Sequence, residues 1–102
     1  AIINTDSKRI VVTHGTDTIV ETALNVLPDV AGTGTRVAVT GAMRPERFKD
    51  SDAIFNLGAS VAATALMQPG TVVVCMGGAP IDARCCARKG ASFVRVADNI
   101  MR

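Results

Sequence analysis

The sequence of 102 residues has no tryptophan and no tyrosine, and its only aromatic residues are Phe48, Phe55 and Phe93. Single-stranded nucleic acid is held by aromatic platforms in basic grooves, and a formal charge of +2 with three phenylalanines supplies neither. Histidine occurs once, at His14, and two of the three cysteines, Cys85 and Cys86, are adjacent while Cys75 stands apart. That pattern has no tetrahedral metal-ligand spacing. An odd cysteine count, with no basic stretch followed by an apolar one at the front, predicts reduced thiols and a cytoplasmic setting. No apolar run reaches the roughly 20 residues of a membrane-spanning helix. Nucleic acid, membrane and metal are therefore not expected partners.

What remains is rich in core-forming residues. Hydrophobic residues make up 48% and charged residues 20%, the balance of a folded chain rather than a disordered one. No repeat or linker divides the chain, so residues 1–102 are read as one domain. Ile10 to Thr13 is a short apolar run closed by Gly15, the mark of a buried strand. From Thr18 the apolar residues Ile19, Val20, Ala23, Leu24, Val26, Leu27 and Val30 recur at helical spacing, with Gly32 as terminator. Thr18 and Glu21 have the spacing of a capping box. Arg36 to Thr40 reads as a second strand.

The polar loop from Ala42 to Asp52 precedes a second helix, with Asp50, Ser51 or Asp52 as its cap. Ile54, Leu57, Val61 and Ala65 are expected along its buried face, and Gly58, Ala59, Ala62 and Ala63 keep it slim. Residues 68–70 (QPG) end it. Thr71 to Met76 is a third strand, apolar on both faces, as a central parallel strand requires. Strand, helix, strand, helix, strand predicts an α/β fold in three layers, a parallel sheet with helices on both faces. After Met76 the pattern weakens to a loop or hairpin leading to a short strand over 92–96.

In such sheets ligands bind beyond the carboxyl ends of the strands. The informative loops, HGTDT (14–18), GAMRPERF (41–48) and GGAPIDARCCARK (77–89), all fall there. Thr18 with Glu21 satisfies the helix start, which leaves Thr16 and Asp17 as a hydroxyl and a carboxylate beside a helix N-terminus. They admit two readings: spare capping groups, or one half of a catalytic or binding site that needs a third group. Arg84, Arg88, Lys89, Arg95 and Arg102 bias the C-terminal end toward positive charge, which reads as a solvated face.

The segments VVTHGTDTIVETA (11–23), VAVTGAMRP (37–45), SDAIFNLGASVAATA (51–65) and GTVVVCM (70–76) together resemble the bacterial-type L-asparaginases, which include the glutaminase-asparaginases. The resemblance implies a truncated form of their Rossmann-like N-terminal domain and hydrolysis of an asparagine or glutamine side-chain amide, with no cofactor and an amino-acid amide as substrate. It implies that Thr16 orients or activates the attacking group and that Asp17 holds the substrate ammonium. Gly15 would line the turn, and Ala42, with Met43 behind it, would face the substrate amide.

The family's lysine, from a DGRDVTK-like run, falls on Arg88 in ungapped register, with Lys89 one place on; Lys89 is the candidate because arginine stays protonated. No Thr-bearing GGTI-type turn occurs in the sequence, nor does the family's second domain. The chain could then be an amidohydrolase of low activity or a non-catalytic module of the same fold. Sheet surface bared by the missing first strand predicts a homo-oligomer.

Overall fold

A computed structural model describes residues 8–43, 51–90 and 92–96. The loop residues 44–50, with Phe48 and the candidate cap Asp50, lie outside the described residues, as does Arg102. Strand β1 (Arg9–Thr13) leads into helix α1 (Ile19–Val30), strand β2 (Arg36–Thr40), helix α2 (Ala53–Leu66) and strand β3 (Thr71–Met76). Strand β4 (Ala79–Asp82), a 3-10 turn (Ala83–Cys85) and the hairpin β5 (Cys86–Lys89) and β6 (Ser92–Arg95) follow.

The first three strands run parallel in the order β1-β2-β3, and β4 adds to β3 antiparallel. The expected all-parallel sheet is thus a mixed one. Gly77 and Gly78, both at positive φ (68° and 83°), turn the chain back within two residues, which leaves no length for a crossover. The β5–β6 hairpin forms a second, two-stranded sheet.

Alternation along the strands divides the core. Val37, Val39, Val72, Val74 and Met76 share one cluster with Ile19, Val20, Ala23 and Val30 of α1, and Ile10 and Val12 pack against it. Ala38, Val73 and Cys75, equally buried, alternate with them. Cys75 is a core residue, as its strand context predicts.

Two local expectations are corrected. Thr18 makes no side-chain cap, because its backbone (φ −124°, ψ 23°) lies outside the extended region from which a cap hydroxyl reaches back to the helix amides. Its carbonyl still opens the ladder, accepting from Thr22 N at 3.0 Å. Helix α2 buries Asn56, Ser60, Ala63 and Thr64, while Ile54, Leu57, Val61 and Ala65 are exposed. The expected apolar face is on the outside, turned about the helix axis by polar side chains that the strand ends require. Gly32 does terminate α1, at φ 82°.

Candidate functional site

The turn between β1 and α1 is built by His14. Its amide donates to Thr40 O at 2.8 Å, continuing the β1–β2 ladder one residue past the strand. Its ring then folds over the turn: Nδ1 lies 2.6 Å from Gly15 O and Nε2 2.9 Å from Thr22 Oγ1. A carbonyl only accepts, so Nδ1 carries a proton that it donates to Gly15 O, while Nε2 shares a hydrogen bond with the Thr22 hydroxyl. His14 thereby ties the 15–17 turn to the first turn of α1. The sequence pattern offered it only as a lone histidine; its position at a strand end, before a glycine turn, was the available signal.

Thr16 and Asp17 line a crevice of about 320 Å³ with Val20, Glu21, Ala87 and Arg88. Arg88 is the cation brought to them. Its Nη1 donates to Thr16 O at 2.8 Å and to Asp17 Oδ1 at 3.2 Å, and its Nε donates to Gly90 O at 2.9 Å. The guanidinium also stands 5.8 Å from the centre of the Phe93 ring. Asp17 itself is 96% exposed, so one carboxylate oxygen remains open to solvent or ligand. Lys89, the expected lysine, is exposed and adjacent to Arg88 in β5. Neighbouring strand residues point to opposite faces, so the hairpin register that delivers Arg88 to Asp17 turns Lys89 away. A guanidinium holds charge and shape but accepts no proton, and among the described residues no side chain hydrogen-bonds the Thr16 hydroxyl.

Gly15 and Ala42 line a separate, larger cleft of about 510 Å³ at the carboxyl ends of β1 and β2. Thr13, His14, Thr40 and Gly41 form its floor, and Ala53, Ile54 and Leu57 at the start of α2 its wall. Met43 lies in a third hollow, with Asp52, Met76, Gly77 and Phe93. The structure thus pairs Thr16 with Asp17 and Gly15 with Ala42, and places Met43 apart from both.

Asn56 links these hollows. Fully buried, it donates from Nδ2 to Gly41 O (2.9 Å) and Asp52 Oδ2 (3.0 Å), and its Oδ1 accepts from Gly77 N (3.0 Å). Asp52 Oδ2 also accepts from Met43 N at 3.0 Å. One side chain therefore satisfies backbone groups just past the ends of β2 and β3, where no ladder continues. Gly41 fits because a Cβ there would collide with the His14 carbonyl oxygen.

Polar loops gathered at the carboxyl ends of three parallel strands, with helices packed on the sheet, define an α/β protein. Within that class the chain belongs to the asparaginase family: the family profile described as "Asparaginase, N-terminal" matches residues 2–96. It is also 34% identical over 90 residues to a glutamyl-tRNA(Gln) amidotransferase subunit from Methanopyrus kandleri, across 88% of this chain. The corresponding protein from Methanosphaera stadtmanae is 36% identical over 88 residues, across 86% of this chain. The chain spans 20% of the length of each of these curated relatives.

Proposed function

We propose that these residues form one partial domain of an enzyme that takes nitrogen from the side-chain amide of asparagine or glutamine, in a cytoplasmic setting. The observation that carries the reading is the Thr16–Asp17 turn at the carboxyl end of β1, inside a stretch that the asparaginase family profile matches. In this reading Asp17 offers its open carboxylate oxygen to the substrate ammonium. Thr16 orients the group that adds to the amide carbon. Water supplies the oxygen, the C–N bond breaks and the nitrogen leaves as ammonia. Gly15 and Ala42 present backbone to the amide from the neighbouring cleft, with Met43 behind. Helices on the two faces of the sheet, the three-layer arrangement, hold the loops together at one edge. The three free cysteines accord with a reducing compartment.

Arg88 sets the expected rate. With a permanent cation beside Thr16 and Asp17, proton transfer lacks an acceptor, and positioned acid–base groups contribute about 10²–10⁴-fold in rate. The chain is therefore expected to turn over slowly. Ammonia release from L-asparagine and L-glutamine is the test, with Thr16→Ala, Asp17→Ala, Arg88→Lys and Lys89→Ala beside the parent chain. The reading expects release above buffer that both alanine variants of the turn abolish. It expects Arg88→Lys to raise the rate by about tenfold or more, and Lys89→Ala to leave it unchanged. A folded chain with no release from either amide would overturn catalysis here and leave a non-catalytic module.

The relatives favour a second reading of the same chemistry. Their name describes part of an amidotransferase, so the nitrogen would be passed to an acceptor within an assembly instead of released. An amide-dependent rate that rises only when an acceptor and a partner protein are added would favour it.

A further inference from the structure

Arg88 reaches from the β5–β6 hairpin to the turn after β1 and uses only part of its donor capacity there. A guanidinium carries five N–H groups in one plane. Nε donates to Gly90 O at 2.9 Å, and Nη1 donates to Thr16 O at 2.8 Å and to Asp17 Oδ1 at 3.2 Å. The N–H groups of Nη2 have no acceptor among the described residues, although the side chain is only 31% exposed.

The group is also held in place. Gly90 O fixes Nε, and the Phe93 ring centre lies 5.8 Å from the guanidinium carbon. Its free edge is therefore oriented before any ligand arrives, which removes part of the ordering cost of binding. Beside it, Asp17 has one oxygen on Arg88 and is 96% exposed, so its Oδ2 is open. Both residues line the crevice of about 320 Å³, with Val20 and Ala87 as apolar wall and Glu21 as a second carboxylate.

A cation and an anion thus stand 3.2 Å apart, with unused donors on one and an unused acceptor on the other. Such a crevice discriminates by the order of charges. A free phosphate meets two carboxylates against one cation, and a simple amine meets the guanidinium. A zwitterion whose ammonium and carboxylate are one carbon apart sets each charge against its opposite.

We propose that Arg88 determines specificity: its Nη2 takes the α-carboxylate of a free amino acid whose ammonium lies on Asp17. This rests on Asp17 holding the substrate ammonium, as proposed for it, and supplies the carboxylate side of the same site. A lysine at position 88 would have three donors in all, whereas the guanidinium bonds three acceptors of the chain and keeps donors for a ligand. An asparagine or glutamine inside a peptide is excluded, because its α-nitrogen and α-carbonyl are both uncharged.

Titration calorimetry on the full chain tests this with a cycle of ligands and variants. L-Asparagine carries both charges, its α-amide lacks the carboxylate, and N-acetyl-L-asparagine lacks the ammonium. The parent chain is expected to bind L-asparagine about tenfold more tightly than the α-amide, the order of one charge-assisted hydrogen bond. In Arg88→Gln that preference should vanish while affinity for the α-amide is kept. Arg88→Lys, with the charge retained and fewer donors, should lose part of it. A merely structural role for Arg88 would weaken both ligands alike and leave their ratio unchanged. Asp17→Asn reports on the ammonium side: it should weaken L-asparagine and leave N-acetyl-L-asparagine unaffected. A ratio unmoved in both Arg88 variants, with the Asp17→Asn effect present, overturns the role of Arg88 alone. A folded parent chain that binds no L-asparagine overturns both.

Discussion

At the residue scale, charge is used sparingly and close to its partner. Asp82 caps the 3-10 turn through Arg84 N (2.9 Å) and takes both Nε (3.1 Å) and Nη2 (3.0 Å) of the Arg84 side chain. Burial works to raise its pKa, but the Arg84 side-chain bonds, the Arg84 amide and the charges of Arg84 and Arg95 together outweigh it. The carboxyl is thus held below its ordinary value of 3.8. A folded-state pKa below the unfolded one means stability that is fully present above the unfolded value and lost as pH falls toward the folded one. Asp82→Asn, which can still cap the turn, is expected to flatten the decline of Tm below about pH 4. Thermal melts of both proteins from neutral to acid pH check it; parallel acid limbs would refute it. Arg88 and Asp17, by contrast, meet at the surface, where the pair adds at most about 1 kcal/mol.

At the scale of elements, the two helices obey different rules. Helix α1 follows its pattern: Ile19, Val20, Ala23 and Val30 are buried against the sheet. Helix α2 inverts its pattern because its buried side has polar work to do. Asn56 pairs Gly41 O and Gly77 N, Ser60 Oγ donates to Asn56 O at 2.7 Å, and Thr64 accepts from Arg9. Opposite outcomes are expected on the two sides. Asn56→Ala leaves buried backbone groups unpaired at roughly 1–3 kcal/mol each. Leu66→Lys, on the exposed side, should stay within about 0.5 kcal/mol of the parent. Urea unfolding of the two variants decides it, and a larger loss for Leu66→Lys would refute this assignment of faces. How far the fold was legible also shows here. Strands β1 to β3 and both helices were readable from alternation, spacing and glycine, whereas the antiparallel β4 and the face of α2 were not, because hydrophobicity alone does not register which backbone ends lie beneath a helix.

At the scale of the whole molecule, the hairpin β5–β6 belongs to a different sheet from β1, yet Arg88 binds it to the β1–α1 turn across more than 70 residues of chain. Among the described residues, the other side-chain tie on this turn is that of His14, to Gly15 O and Thr22 Oγ1. Arg88→Gln is expected to leave global stability nearly unchanged but to speed exchange of the hydrogen-bonded amides flanking the turn, His14 and Thr22, by about tenfold, a local opening rather than global unfolding. Exchange measured residue by residue checks this. Equal protection in both proteins would mean that the hairpin does not restrain the turn. The candidate residues accordingly lie in three separate hollows near the strand ends, which Asn56 and His14 brace.

Local chemistry determined what the sequence could announce by itself: short apolar runs closed by glycine, helical spacing from Ile19 to Val30, and a hydroxyl–carboxylate pair at a strand end. These depend on neighbours a few residues apart, and the Thr16–Asp17 turn was legible for that reason. Tertiary structure decided the rest. Whether Arg88 or Lys89 reaches Asp17 depends on the pairing of β5 with β6, since a shift of one residue exchanges the faces of a strand. Which side of α2 is buried depends on the open ends of β2 and β3, brought together only by the fold. A backbone amide without a partner is invisible in a string of letters, and in this protein satisfying such groups outweighed burying leucine and isoleucine.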